Sequence, residues 1–280
     1  MKIAETVVEM RRLCRDLRSA KGLLALVPTM GALHEGHLSL ARRARAECGA
    51  VAASIFVNPL QFGPNEDFSK YPRAFADDCA RLEAEGVDIL FAPGAAEMYP
   101  EGAVTKISVD GIGDRLDGAS RPGHFTGVAT VVAKLFHVVQ PDRAYFGQKD
   151  AAQLAVLRQM VRDLNFGVEV VACPIVRDAD RLALSSRNKY LSASDRQHAL
   201  ALHRALQAME ARLSGGERSS KTLVEEGTEV LRSEAGVRVD YVAAVDAQTL
   251  LPVERAEAGT LLAVAAWVGQ TRLIDNVVAA

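Results

Sequence analysis

The chain has few cysteines and none near another. Cys14, Cys48, Cys79 and Cys173 make no Cys-x-x-Cys spacing, so neither a zinc cage nor a disulfide framework is expected, and reduced buried thiols are. Charge of one sign is not in excess either: 33 Lys and Arg stand against 35 Asp and Glu, a net charge of -2. Without a global basic field the chain is not built to hold nucleic acid, and any anionic ligand has to be gripped locally. Apolar runs such as Val51–Val57 and Leu261–Val268 fall far below the roughly 18 residues of a membrane-spanning helix, so no membrane role is expected. The opening MKIAETVVEMRRLCRDL is charged and helix-periodic. It lacks the apolar segment and small-residue cleavage site of a secretory signal, which predicts a cytoplasmic protein. No internal repeat or low-complexity tract is present.

What is there suits a large core. With 280 residues, 49% of them hydrophobic and 24% charged, the chain can form one large α/β domain or two unequal ones. Short apolar runs at Leu23–Val27, Ala50–Val57 and Val87–Phe91 alternate with helix-periodic segments at Leu38–Cys48 and Phe75–Glu85. The order βαβαβ predicts a parallel sheet covered by helices. The pattern continues with a helix over Val128–Val139, a strand at Ala144–Phe146, a helix over Ala151–Leu164 and a strand at Val168–Cys173. After Tyr190 a serine- and aspartate-capped helix carries Leu202, Leu206, Met209 and Leu213 on one face and stops at a Gly-Gly pair. A helix over Lys221–Ala235 and strands at Val237–Val245, Leu261–Val268 and Arg272–Val277 complete the chain. The expected organisation is a Rossmann-like domain over residues 1–176 and a smaller α+β domain over 177–280.

The stretch VPTMGALHEGHLSL places a glycine turn and two histidines where a strand hands over to a helix. In an open α/β sheet ligands lie beyond the carboxyl ends of strands, and a helix start there offers unpaired N–H groups and partial positive charge, which suits phosphate. His34 and His37, at i and i+3, share a helix face, and Gly36 between them leaves the approach open. A lone histidine at a helix start is more often a cap; two there favour a ligand. Zinc is a poorer guest, because the helical zinc motif spaces its histidines at i and i+4. Further along, Asn58 and Gln61 offer amides suited to a hydroxyl-bearing substrate, although Asn-Pro and Gly-Pro also mark plain turns. Lys149 could place a compact charge on phosphate and Asp150 could bind Mg²⁺ through oxygen. Asp77 and Asp78 could simply be acids in the first turn of a helix.

The H-x-G-H signature after a strand and a glycine turn resembles that of the nucleotidylyl transferase superfamily. Together with SIFVNPLQFGPNEDFSKYPR, RPGHFTGVATVVAKLFHVVQPDRAYFGQKD and LALSSRNKYLS, it closely resembles the pantothenate synthetase (pantoate–β-alanine ligase) family. The resemblance spans about Pro28 to Leu191 and implies ATP contacts from Met30, Gly31, Ala32, Leu33, His34, Glu35, Gly36 and His37. It implies the same for Gly147, Gln148, Lys149 and Asp150, and for Val176, Leu184, Ser185, Ser186 and Arg187. Gln61 would hold pantoate and β-alanine, Gln153 would hold pantoate, and Asn58 would lie nearby; Asp150, with Asp77 and Asp78, would sit near Mg²⁺. Two positions depart from the family pattern: Ala152 replaces a frequent glutamine, and Arg181 stands where glycine is usual.

The implied reaction joins pantoate to β-alanine through a pantoyl adenylate, releasing pyrophosphate and then AMP. His37, His34, Lys149 and Arg187 would stabilise the phosphate charge, with His37 as proton donor, and the family implies a homodimer. A nucleotidylyl transferase acting on a phosphorylated acceptor would need a cationic pocket in place of neutral Asn58 and Gln61. A non-catalytic ATP-binding module would bind ATP without releasing pyrophosphate.

Overall fold

The structure is a computed structural model that describes residues 1–64 and 66–280. The chain forms two compact units, Met1–Gly147 with Val156–Pro174, and Gln148–Ala155 with Ile175–Ala280.

The first unit carries β1 (Lys2–Ala4), α1 (Val7–Lys21), β2 (Leu24–Thr29), α2 (Glu35–Glu47), β3 (Ala50–Ile55), α3 (Phe75–Ala84) and β4 (Ile89–Phe91). The single-turn helices α4 (Ala95–Met98) and α5 (Asp117–Ser120) follow. Then come α6 (His124–Val139), β5 (Arg143–Gly147), α7 (Ala151–Asp163), whose residues divide between the units, and β6 (Glu169–Cys173). The strands form one parallel sheet in the order β1-β4-β3-β2-β5-β6. Leu24, Ala25, Leu26 and Val27 are wholly buried, as are Ala50, Val51, Ala52 and Ala53. Continuous apolar runs of this kind are what the middle of a parallel sheet needs, because helices cover both of its faces. From β2 the order runs one way to β3 and the other way to β5, which is the switch point where such sheets open a crevice beyond the strand ends.

The expected βα alternation is present, with one correction. The N-terminal segment reads as helical throughout, yet Lys2–Ala4 pairs with Ile89–Phe91 as an edge strand before Thr6 caps α1. Three residues are too few for period-two alternation to stand out against the helix behind them.

The second unit contains α8 (Ala193–Ser214), α9 (Ser220–Arg232) and an antiparallel sheet of β7 (Val237–Asp246), β8 (Thr260–Val268) and β9 (Thr271–Val278), in the order β7-β8-β9. Ser192 caps α8 in a reciprocal box with Asp195. The predicted stripe of Leu202, Leu206, Met209 and Leu213 is buried, packing in one core with Leu262, Val264 and Ala266 of β8. All four cysteines are free thiols. Among the described residues, no helix is long and apolar enough to cross a membrane.

Candidate active site

β2 runs to Thr29, two residues beyond the expected end, and the chain then turns on left-handed backbone at Gly31 (φ 79) and Ala32 (φ 51). A Cβ on Gly31 would lie 3.0 Å from Asp78 Oδ2 and 3.1 Å from Ile55 Cγ2, so the site demands glycine twice over. The turn is held from outside. Asp78, only 2% exposed, accepts the Ala32 N–H on one carboxylate oxygen and the Leu33 N–H on the other, each at 2.8 Å. One helical turn later, Arg81 Nη1 donates to Leu33 O at 3.2 Å. Asp78 is thus engaged in shaping the turn, while its neighbour Asp77 is exposed. Helical geometry aims adjacent side chains about 100° apart, so the two acids do not converge.

His34 is the N-cap of α2, with φ −136 and ψ 174. Its backbone N–H donates to His37 Nδ1 at 3.3 Å, and the two rings stack at a tilt with centroids 4.1 Å apart. An Nδ1 that accepts leaves the proton of the neutral imidazole on Nε2, so His37 presents an N–H donor away from its own helix. The capping reading therefore holds for this pair, with one ring nitrogen of His37 closing the helix start. Glu35 is exposed and bound by Arg42, which also grips Glu85. What Glu35 offers at the helix start is its main-chain N–H, beside that of Gly36.

The amides at Asn58 and Gln61 are not equivalent. Asn58, 1% exposed, donates through Nδ2 to Gly127 O (3.0 Å) and Gln61 Oε1 (3.1 Å), and accepts on Oδ1 from Tyr99 OH (2.8 Å) and Leu60 N (3.3 Å). Both donors and both lone pairs are used, so Asn58 aims Gln61 and has nothing left for a ligand. Gln61 Nε2 donates to Met30 Sδ at 3.1 Å, and one further N–H and one acceptor lone pair remain.

The Gln61 main chain is clamped by residues that the sequence reading did not single out, although they lie in the RPGHF block. His124 Nδ1 donates to Gln61 O at 2.8 Å, and Arg121 Nη2 adds a 3.3 Å bond to the same oxygen. Arg121 also makes two 2.7 Å bonds to Glu66 and approaches His124 Nε2 at 3.0 Å. Burial, with the Arg121 charge beside it, pushes the His124 imidazole down to about 4. Arg121 in turn holds Glu66 below the usual carboxylate range despite its burial. A Cβ on Gly127 would sit 2.2 Å from Leu60 O, so α6 touches this loop backbone to backbone. Gln61, Glu66, Lys106, Arg121 and His124 line a cavity of about 580 Å³.

In the second unit, Gln148–Asp150 forms one 3₁₀ turn in which Lys149 is half-buried and Asp150 exposed; Gln153 is half-buried on α7. Val176 accepts from Leu184 N at 3.0 Å, and Arg177 pairs with Ala183, closing a hairpin. Its turn contains Arg181 with φ 75, a left-handed conformation, which is a physical reason for glycine at that position. Beyond the hairpin, Ser185 caps a 3₁₀ helix over Ser186–Tyr190 by accepting from Arg187 N at 3.3 Å. Ser186 is buried, and Leu184 and Arg187 are half-buried.

Among the described residues no three His, Cys, Asp or Glu side chains gather as a metal cage. With Asp78 engaged, the donor set fits a Mg²⁺ that arrives with a polyphosphate and takes a single carboxylate from the protein.

A family model for pantoate-beta-alanine ligase matches residues 2–278. The pantothenate synthetase of Acidobacterium capsulatum is 61% identical across 99% of this chain and 96% of its own length. The crystal structure of pantothenate synthetase from Thermus thermophilus is similar at TM-score 0.94 and 52% identity, with 99% of each chain covered. That of pantoate-beta-alanine ligase from Francisella tularensis, complexed with beta-gamma ATP and beta-alanine, is similar at TM-score 0.81 and 32% identity, covering 99% of this chain and 97% of that one. The chain belongs to the pantoate-beta-alanine ligase family.

Proposed function

We propose that the protein condenses pantoate with β-alanine to pantothenate by way of a pantoyl adenylate. A pantoate carboxylate oxygen attacks the α-phosphorus of ATP and pyrophosphate leaves. The β-alanine amine then attacks the acyl carbon, the acyl–phosphate bond breaks, and AMP leaves with its electron pair as the amine gives up a proton. The single observation that carries this reading is the bond from the His34 N–H to His37 Nδ1 at 3.3 Å, which supports Nε2 as the nitrogen that carries the proton at the start of α2.

His37 is the donor to the phosphate charge, with His34, the main-chain N–H groups of Glu35 and Gly36, and the Met30–Leu33 turn that sets them in place around it. Lys149 and Arg187 supply fixed positive charge, the second as a planar fork suited to phosphate. Gly147, Gln148, Val176, Leu184, Ser185 and Ser186 complete the nucleotide contacts. Gln61 binds pantoate and β-alanine through its remaining N–H and lone pair, and Gln153 binds pantoate. Asp150 would hold Mg²⁺, which would supply charge neutralisation on the phosphates. No protein nucleophile is needed, because adenylation itself activates the acid. The bound β-alanine named for the Francisella tularensis relative supports the amine half of the reading. The reading includes a homodimer in the cytoplasm; four free thiols accord with the latter.

The test is release of pyrophosphate and AMP with ATP, Mg²⁺, pantoate and β-alanine, each omitted in turn. Pyrophosphate that requires pantoate, and AMP that also requires β-alanine, is the expected result. Pyrophosphate formed without pantoate would overturn the assignment. Light scattering checks the dimer.

A further inference from the structure

The last strand of the chain carries two adjacent buried polar side chains, Asp275 and Asn276, exposed by 2% and 3%. Buried polar groups must be paired, and these are paired to the two segments that bear the second unit's cations. Asn276 Nδ2 donates to Gln148 O at 3.0 Å and to Lys149 O at 2.8 Å, while Asn276 Oδ1 accepts from Gln148 Nε2 at 3.3 Å. Asp275 makes a two-pronged bond with Arg177, at 2.6 and 2.9 Å, and Arg177 Nη1 reaches Arg181 O across the hairpin turn at 3.2 Å. Successive residues of a strand face opposite sides. One face of β9 therefore grips the Lys149 turn and the other grips the hairpin that leads into Ser185–Arg187. β9 is itself anchored, with Asp275 and Asn276 in register with Val264 and Ala263 of buried β8.

We propose that Asn276 is a positioning residue for Lys149. One amide takes hold of the carbonyls of two successive residues in the single turn that leads into α7. That fixes the direction in which the Lys149 side chain leaves the backbone. The inference rests on the reading that Lys149 meets the triphosphate. Among the described residues Asn276 is the side chain that bonds Lys149 O, and an alkyl-ammonium stem has too many rotors to hold its head without a fixed root.

The experiment is a double-mutant cycle on pyrophosphate release at saturating pantoate, with kcat and the KM for ATP measured separately. Asn276→Ala is expected to lower kcat/KM for ATP roughly 10- to 100-fold, the scale of a misplaced group, with the KM for pantoate unchanged. In a Lys149→Ala background the same change is expected to cost no more than about 3-fold, because non-additivity marks residues acting through one another. Equal fold losses in both backgrounds, or an unaltered Asn276→Ala enzyme beside an impaired Lys149→Ala enzyme, would overturn the proposal. Lys149→Ala with full activity would instead sink the functional reading itself. Should Asn276→Ala fail to fold, Asn276→Ser, which keeps a short donor, enters the same cycle; if neither folds, the residue is structural and the proposal fails.

Discussion

The backbone N–H of His34 donates to Nδ1 of His37, three residues on, at 3.3 Å. This bond makes the second histidine both a cap and a committed Nε2–H donor. His37→Ala should therefore lower pyrophosphate release about 100-fold or more, the usual scale for removing one preorganised donor. The loss of the cap should cost only about 1 kcal/mol of stability. His37→Gln, which can still offer an N–H, should recover part of the rate. Rates in single-turnover mixing and melting curves on the same preparations check this, and a His37→Ala enzyme at near-normal rate would remove His37 from the chemistry.

Asp78 holds the turn that precedes that histidine pair, and does so with two charge-assisted bonds to main-chain N–H groups in a buried setting. Asp78→Ala strands both donors and should destabilise the protein by about 3 kcal/mol. Asp78→Asn keeps one good acceptor and should cost about half as much. Activity should fall in step, because the turn sets where α2 begins. Urea midpoints at constant slope measure the stability terms; an Asp78→Ala protein with an unshifted midpoint would show that the turn stands without its support.

How much of this could be read beforehand follows from distance along the chain. The sheet was legible because β2 and β3 are unbroken apolar runs, and the histidine pair because His34 and His37 are neighbours on one helix start. Asp78 reaches the turn across 46 residues and Asn276 reaches Lys149 across 127. No local pattern encodes such side-chain to main-chain pairings; they exist only once tertiary approach brings an orphaned N–H or C=O to a buried polar side chain. Asn58 shows the converse: a loop amide that reads as substrate-facing turns out to spend every hydrogen bond on Gln61 and its surroundings. The edge strand β1 was lost to its brevity.

His124 supplies a pH prediction with a definite sign. Its imidazole lies among Arg121, Glu66 and Asp117 and is held down to about 4 by burial and by Arg121, against an ordinary value of 6.5. Between those values the unfolded chain takes up a proton that the folded protein refuses. Stability is then full above pH 6.5, falls as pH drops towards 4, and is flat from this source below that, a total of about 3 kcal/mol. Asn at this position keeps a donor for Gln61 O and cannot titrate. Free energies of unfolding for wild type and His124→Asn at pH 7, 6, 5 and 4 should converge on acidification; parallel profiles over that window would rule out His124 as the cause.

Arg181 pays a backbone penalty that glycine would not. At φ 75 its Cβ crowds the following carbonyl, a strain of about 1–2 kcal/mol for a residue other than glycine. The opposing term is the extra freedom glycine gains in the unfolded chain, about 0.5–1 kcal/mol. The strain is the larger, so Arg181→Gly should stabilise the protein by about 0.5–1 kcal/mol and raise the melting temperature by roughly 2 °C. Nothing in the hairpin's own bonding opposes the change, since Arg181 contributes its main-chain N–H to Asp178 O and its main-chain carbonyl to Arg177, both of which glycine keeps. The turn is also tied to α8 independently, by Arg196 bonding Asp178 and Asp180. Differential scanning calorimetry decides the matter: a lower melting temperature for Arg181→Gly would mean that the arginine side chain contributes more to the fold than its backbone conformation takes away.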